Sequence, residues 1–176
     1  RRGELLGLEW KDFDWENRLM TISRTSMWTK EKGLYTDTPK TKSSRRTLKI
    51  PTELIELLHK YKTYQDRYKA DLGDKWIETD RLFTQWNGKP MDVTAPHGYF
   101  KAFCERTGMR CVSNHSWRHF NASILISNGV DVKTVQSCLG HSTPATTLQV
   151  YAHAFQTQQA MAMEAVADTI NFKKKS

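Results

Sequence analysis

Two histidines and an arginine in the second half of the chain have the types and spacing of a functional site. His115, Arg118 and His119 lie three and four residues apart, so they share one face if this segment is helical. The His-x-x-x-His spacing suits zinc, but no glutamate occupies position 116 and Arg118 adds a fixed positive charge. A helix N-terminus, a guanidinium fork and a donating histidine suit an anion better. The pattern therefore favours a phosphodiester, with a metal site as the weaker alternative.

A second candidate group lies in the stretch from Leu139 to His153, which reads LGHSTPATTLQVYAH. It contains a glycine stop, His141, a Thr-Pro helix start and, ten residues after the histidine, Tyr151. Thr143 can cap a helix whose first turn accepts Pro144, because proline there lacks only an N–H that would be unpaired anyway. By itself this pattern is equally typical of an ordinary connection between two helices.

The formal net charge of +8 is concentrated at the two ends of the chain. Residues 1–50 contain 12 Lys and Arg against 7 Asp and Glu, residues 51–172 contain 12 of each, and residues 173–175 are three lysines. A surface with that excess attracts polyanions, of which nucleic acid is the commonest in a cytosol. Charge alone is equally compatible with a basic protein that binds no polyanion.

Length and composition indicate one soluble domain. A chain of 176 residues can bury a sizeable core, and its longest aliphatic run is too short to span a bilayer. It opens on Arg1 without a signal region, so we expect a piece of a longer protein. The cysteines, Cys104, Cys111 and Cys138, form no CxxC pair. We therefore expect buried thiols in a reducing cytosol, without a disulfide framework or a structural zinc site.

The elements that would position these side chains begin with a small sheet. Apolar residues at helical spacing predict a short helix within residues 4–17, followed by an acidic turn. Alternating patterns predict strands over Met20–Ser23, Leu34–Pro39 and Arg45–Ile50. The economical arrangement is a three-stranded antiparallel meander, and the basic residues of its second turn are Lys40, Lys42, Arg45 and Arg46.

Helical periodicity dominates the rest of the chain. The predicted helices cover residues 52–72, 92–107, 114–129, 131–139, 143–152 and 155–170, and glycines at 73, 108 and 140 provide stops. A small sheet near the N-terminus followed by at least five helices predicts an α+β fold that is mostly helical.

Four segments, taken in order, resemble the catalytic domain of the tyrosine recombinases, the phage-type integrases. They are RRGELLGLEWKDFD from Arg1, PKTKSSRRT from Pro39, HSWRH from His115, and LGH from Leu139 followed by Tyr151. Each segment alone is a weak signal, but their order and distances together are specific and cover nearly the whole chain. The resemblance implies the family's DNA breaking-rejoining fold.

The resemblance also implies six catalytic positions. The two arginines and two histidines would hold the oxygens of a scissile phosphate, the tyrosine would attack it, and the lysine would protonate the leaving sugar oxygen. One of the histidines, at position 115, is also the candidate base. All six positions are filled with the expected residue type: Arg1, Lys40, His115, Arg118, His141 and Tyr151.

Three further basic residues in the same strand turn, Lys42, Arg45 and Arg46, are expected to contact DNA, and Lys42 is the runner-up for the acid. Ser116-Trp117 departs from the family's common Asp-Leu, which concerns helix packing and not the chemistry.

The activity that the resemblance implies is site-specific recombination through a 3′-phosphotyrosyl intermediate and a Holliday junction, for integration or excision of a mobile element or phage. No metal, ATP or other cofactor is expected, because the phosphotyrosyl bond conserves the energy of the phosphodiester bond that is broken. The implied partners are double-stranded DNA with specific sites, further copies of the chain in a tetramer on DNA, and DNA-bending accessory proteins. The implied location is the bacterial cytoplasm or nucleoid, with no membrane association.

Residues 1–176 would form the catalytic domain, without the family's N-terminal core-binding domain and first catalytic helix. Residues 154–176 would pack on a neighbouring protomer. Two other functions fit the same residues: a DNA-binding module without activity, and a type IB topoisomerase, which shares the active site but relaxes supercoils by swivelling.

Overall fold

The computed structural model describes the backbone of residues 1–38, 45–140 and 152–169, and the side chains of all of these except 114, 152–158 and 169. The chain divides into two compact units, Arg1–Asn114 and His115–Ser176. The first unit contains the strands and the second, in its described part, contains only helices.

The first unit opens with helix α1 (Arg2–Gly7) and a 3-10 turn (Trp10–Asp12). Five short strands follow: β1 (Phe13–Asp14), β2 (Leu19–Ile22), β3 (Thr25–Thr29), β4 (Gly33–Asp37) and β5 (Arg46–Lys49). β1, β2 and β5 form an antiparallel sheet in the order β1-β2-β5, while β3 and β4 form a separate two-stranded hairpin. The predicted three-stranded antiparallel sheet and α+β class are therefore confirmed.

The predicted meander is wrong about which strands pair with each other. β5 pairs with β2, placing Met20 opposite Leu48, and β4 pairs with β3, a strand that was not predicted. Short connections favoured pairing β4 with β5, but burial decides otherwise. Met20 and Leu48 pack together against the core of this unit, so the strands that carry them become neighbours.

The helices agree closely with the periodicity. They are α2 (Thr52–Leu72), α3 (Ala95–Thr107), α4 (Asn114–Ser127), α5 (Val132–Leu139) and α6 (Ala152–Thr169). Gly108 and Gly140 end α3 and α5 in the left-handed conformation, with φ of 69° and 64°. The predicted helix at 143–152 lies, except for its last residue, outside the described residues. None of the described helices is long and apolar enough to cross a membrane.

The core of the first unit fixes the place of α1. Leu8 packs with Ile22 and Ile50 from the sheet and with Ile55 and Leu58 from α2. On its other side α1 lies against β3. A Cβ at Gly3 would come within 2.7 Å of the Ser26 carbonyl oxygen, and one at Gly7 within 2.8 Å of the Arg24 oxygen. Glycine is therefore required for this close approach.

A buried arginine secures the end of the same helix. Arg81 is 7% exposed, and its Nη1 donates to the carbonyl oxygen of Gly7 at 2.7 Å. Its Nη2 donates to the hydroxyl of Thr36 on β4. The last carbonyls of a helix have no partner within the helix, so Arg81 supplies a hydrogen-bond donor to the end of α1. Its second contact connects α1 to the hairpin of β3 and β4.

The second unit has a small core between α4 and α5. Ala122 and Ile126 from α4 pack on Val135 and Leu139 from α5, and each is 7% exposed or less. Asp131 caps α5 by accepting a 3.0 Å hydrogen bond from the Thr134 amide. These contacts fix how the face of α4 that carries Arg118 meets the end of α5.

Candidate active site

Arg1 lies at the start of α1, next to a buried carboxylate. Its Nη1 donates to Oε1 of Glu4 at 2.8 Å. The Glu4 side chain is 3% exposed and the Arg1 side chain is 43% exposed. The guanidinium therefore has one side fixed against the protein and reaches solvent with the other, as an anion-binding arginine requires.

Glu4 is also held by Arg46 from β5. Arg46 Nη2 donates to Oε2 of Glu4 at 2.8 Å, and Nη1 donates to Oε1 at 3.2 Å. Burial acts to raise the pKa of Glu4, but the Arg46 hydrogen bond and the positive charges of Arg46 and Arg1 lower the pKa to about 2. Glu4 is therefore a carboxylate at neutral pH, placed between two guanidiniums.

This charged group borders an apolar cleft of about 240 Å³ in the first unit. Among the side chains that line the cleft are Leu5, Leu8 and Leu54. Apolar walls lower the local dielectric constant and strengthen electrostatic contacts with any anion that Arg1 binds.

In the second unit, the predicted helical face is present. The rings of His115 and His119 lie 4.4 Å apart and nearly perpendicular, at 84°. Partial burial lowers the pKa of His119, and the neighbouring His115 and Arg118 lower it further. His119 is therefore biased towards the neutral imidazole. Among the described residues, no three His, Cys, Asp or Glu side chains are grouped as metal ligands.

Arg118 is held at the C-terminal end of α5. Its Nη2 donates to the carbonyl oxygen of Leu139 at 2.6 Å. A helix C-terminus carries partial negative charge and unpaired carbonyls, so a guanidinium is stabilised there. Gly140 then turns the chain in the left-handed conformation, and the next residue is His141. Arg118 thus contacts the backbone two residues before a second predicted site residue.

The described structure covers part of the predicted site. Arg1 lies in the first unit, and His115 and Arg118 lie in the second. Arg45 is exposed immediately before β5, whereas the Arg46 side chain is 10% exposed. Four predicted residues lie outside the described residues, so their roles stay predictions: Lys40, Lys42, His141 and Tyr151.

Sequence reasoning assigned no role to Glu4. A signal was present, because Glu4 is followed by Leu5, Leu6 and Leu8 in a short helix. A carboxylate in a mostly apolar helix is often buried, and it then needs a nearby cation to remain ionised. The identity of that cation, Arg46, depends on a strand 42 residues away and has no local signature.

The family model described as the phage integrase family matches residues 1–158. A tyrosine recombinase XerC-like protein of Caldanaerobacter subterraneus is 33% identical over 179 residues, covering 96% of this chain and 46% of the relative. The ICEBs1 integrase of Bacillus subtilis is 31% identical over 159 residues, covering 90% and 43%. This chain therefore spans less than half the length of either relative.

Solved structures show the same fold. The integrase of transposon Tn1549, in complex with transposon right end DNA, superposes with a TM-score of 0.76 at 28% identity, covering 95% of this chain and 55% of that one. Since the family model matches most of the sequence and the fold agrees, this chain belongs to the phage integrase family of tyrosine recombinases, as a catalytic domain of that family.

Proposed function

We propose that this chain is the catalytic part of a site-specific DNA recombinase that cuts and rejoins strands through Tyr151. One observation carries the proposal. The matched range, residues 1–158, includes all six predicted catalytic positions, each with a side chain suited to its role: Arg1, Lys40, His115, Arg118, His141 and Tyr151.

The first step is an in-line attack on a phosphodiester. The phenolic oxygen of Tyr151 forms a bond to phosphorus while the bond from phosphorus to the 5′ oxygen breaks. The products are a 3′-phosphotyrosyl bond and a free 5′-hydroxyl. Because a phenol has a reference pKa of about 10, its proton passes to a base, for which His115 is the candidate. Lys40 supplies a proton to the departing 5′ oxygen.

The transition state places extra negative charge on the non-bridging oxygens, and Arg1 and Arg118 stabilise it with the two histidines. The geometry of both arginines supports this role. Glu4 fixes the Arg1 guanidinium and the Leu139 carbonyl fixes that of Arg118. A guanidinium has five N–H donors, so it can bind a protein acceptor and a phosphate oxygen together. Fixed donors need no reorganisation during the reaction.

Strand exchange follows if a 5′-hydroxyl from a second duplex attacks the phosphotyrosyl bond. The reverse chemistry then joins strands of two duplexes into a Holliday junction. Four protomers on two duplexes account for the full exchange, which serves integration or excision of a mobile element. The exposure of Met161, Met163 and Val166 on α6 supports packing of residues 154–176 on a neighbouring protomer.

A covalent trapping assay tests the proposal. A set of duplexes from the DNA that flanks the gene, each nicked near a candidate scissile phosphate, should give a protein–DNA adduct in the presence of EDTA. The Tyr151→Phe variant should bind the same duplex and give no adduct. An adduct that requires a metal ion contradicts the mechanism. Binding without adduct indicates an inactive module, and relaxation of a plasmid that lacks the site indicates a topoisomerase.

A further inference from the structure

Arg46 differs from its neighbour Arg45 in where its side chain lies. Arg45 is exposed, whereas only 10% of the Arg46 side chain is accessible. The two N–H groups of Arg46 meet both carboxylate oxygens of Glu4. A fork of this kind fixes the planes of both groups. Arg46 is therefore part of the interior of the first unit, next to Arg1.

Glu4 depends on a cation because it is buried. A buried carboxylate without compensation takes up a proton, since burial disfavours the charged form. A protonated Glu4 has weaker acceptors for the Arg1 guanidinium. The Arg1 side chain is 43% exposed and has many rotamers, so a weaker hydrogen bond to Glu4 would leave its position less well determined. The charge on Glu4 and the geometry of Arg1 are thus linked.

We propose that Arg46 is a positioning residue, which keeps Glu4 ionised and aligned so that Glu4 holds Arg1 in the geometry that binds the scissile phosphate. The inference rests on the function proposed above. Arg46 itself does not touch the reacting atoms.

The secondary structure is suited to this role. Arg46 belongs to β5 and pairs in register with Ile22 of β2, a residue of the buried core. The sheet therefore sets the position of the Arg46 backbone. The ion pair between Arg46 and Glu4 then connects this strand to the first turn of α1. A site supported by strands and helices is more rigid than one supported by a loop.

The test compares substitutions at two adjacent arginines in the protein as its gene encodes it. Arg46→Gln removes the charge inside the unit, and Arg45→Gln removes the same charge from the surface. Arg46→Lys keeps the charge without the fork. A double variant, Glu4→Gln with Arg46→Gln, removes both charges of this buried pair and provides a folded reference if Arg46→Gln alone is unstable. Thermal unfolding of each variant is measured alongside.

The substrate is the nicked duplex that traps wild-type protein, with either a normal phosphodiester or a methylphosphonate at the scissile position. The methyl group removes one oxygen and its charge, so an arginine is no longer needed to neutralise it. At saturating normal duplex, Arg46→Gln should slow strand cleavage about tenfold or more, as expected for a misplaced catalytic group. On the methylphosphonate its rate should approach that of wild type, as should the rate of Arg1→Gln. On the normal duplex, the strand cleavage rate of Arg46→Lys should lie between those of wild type and Arg46→Gln. The double variant should cleave no more slowly than the single variant Glu4→Gln.

Two results overturn the inference while leaving the proposed function in place. In the first, wild type cleaves and Arg46→Gln loses DNA affinity but not the rate at saturation, which indicates the direct DNA contact that the sequence predicts for both Arg45 and Arg46. In the second, both Arg46→Gln and the double variant stay slow on the methylphosphonate while Arg1→Gln recovers, which indicates a role in folding alone. If wild-type protein cleaves none of the duplexes, the proposed function fails and this inference fails with it.

Discussion

The guanidinium of Arg118 donates a 2.6 Å hydrogen bond to the carbonyl oxygen of Leu139, the last residue of α5. The contact joins two predicted parts of the site, because Arg118 belongs to the His-x-x-Arg segment and Leu139 opens the Leu-Gly-His segment. Residues 21 positions apart in sequence are thereby held at one point. The helix terminus that Arg118 stabilises is also the place from which the chain continues to His141.

Arg118→Lys should therefore keep the positive charge and lose most of the activity. A lysine ammonium is a compact charge that cannot present a planar fork to a carbonyl and a phosphate together. We expect the rate of adduct formation on the nicked duplex to fall about 100-fold or more, as for loss of a transition-state donor. The exposed Arg110 provides the matched control, since Arg110→Lys should leave the rate unchanged. A near-normal rate for Arg118→Lys would contradict the assignment.

Gly140→Ala should destabilise the end of α5. Gly140 has φ of 64°, a conformation that costs a residue with a Cβ about 1 kcal/mol or more. Gly98 is the control, because it lies within α3 and a Cβ there would meet nothing within 4 Å. Gly98→Ala should stabilise the chain by roughly 0.5 kcal/mol or more. Urea unfolding of both variants measures the two effects, and a Gly140→Ala variant as stable as the wild type or more stable would show that Gly140 is not conformationally required.

Much of the helical part was predictable because its signals are local. Apolar spacing, Asp131 as a cap and glycines after the last turn all lie within a few residues of the element they define. The strands differ, because their pairing depends on burial between residues far apart. Nothing local indicates that Leu48 faces Met20 or that β3 pairs with β4.

The candidate site shows the same contrast. Residue types and motif order were sufficient to choose Arg1, His115 and Arg118 as candidates. The groups that hold the two arginines were not predictable, because one is a backbone carbonyl and the other is a carboxylate paired with a distant strand. Support of this kind arises from tertiary packing, which leaves no fixed spacing in the sequence.

The stability of the chain should depend on the ionisation of Glu4. Its pKa is about 2 in the folded chain against an ordinary value of 4.5, so the unfolded state binds more protons between these values. The contribution is therefore fully present above about pH 4.5 and is lost as the pH falls through the lowered pKa. The difference in unfolding free energy between wild type and Glu4→Gln, measured in urea from pH 2 to 7, should follow this course. Glu164→Gln, on an exposed part of α6, should retain the wild-type pH dependence, and a Glu4→Gln difference that is flat below pH 4.5 would contradict the ion pairing.

Lys40→Ala should lose cleavage of normal DNA and regain it when sulfur replaces the 5′ oxygen of the leaving strand. An alkoxide must be protonated as it departs, whereas a thiolate leaves without an acid because its conjugate acid is much stronger. Lys42→Ala is the control, since the two lysines are separated by one residue and carry the same charge. We expect that variant to weaken DNA binding and to cleave both substrates at similar relative rates. Strand release from the two duplexes, followed at saturating protein, measures the effect. Rescue of Lys42→Ala instead of Lys40→Ala would show that Lys42 is the general acid. Rescue of neither variant would mean that the proton comes from another group.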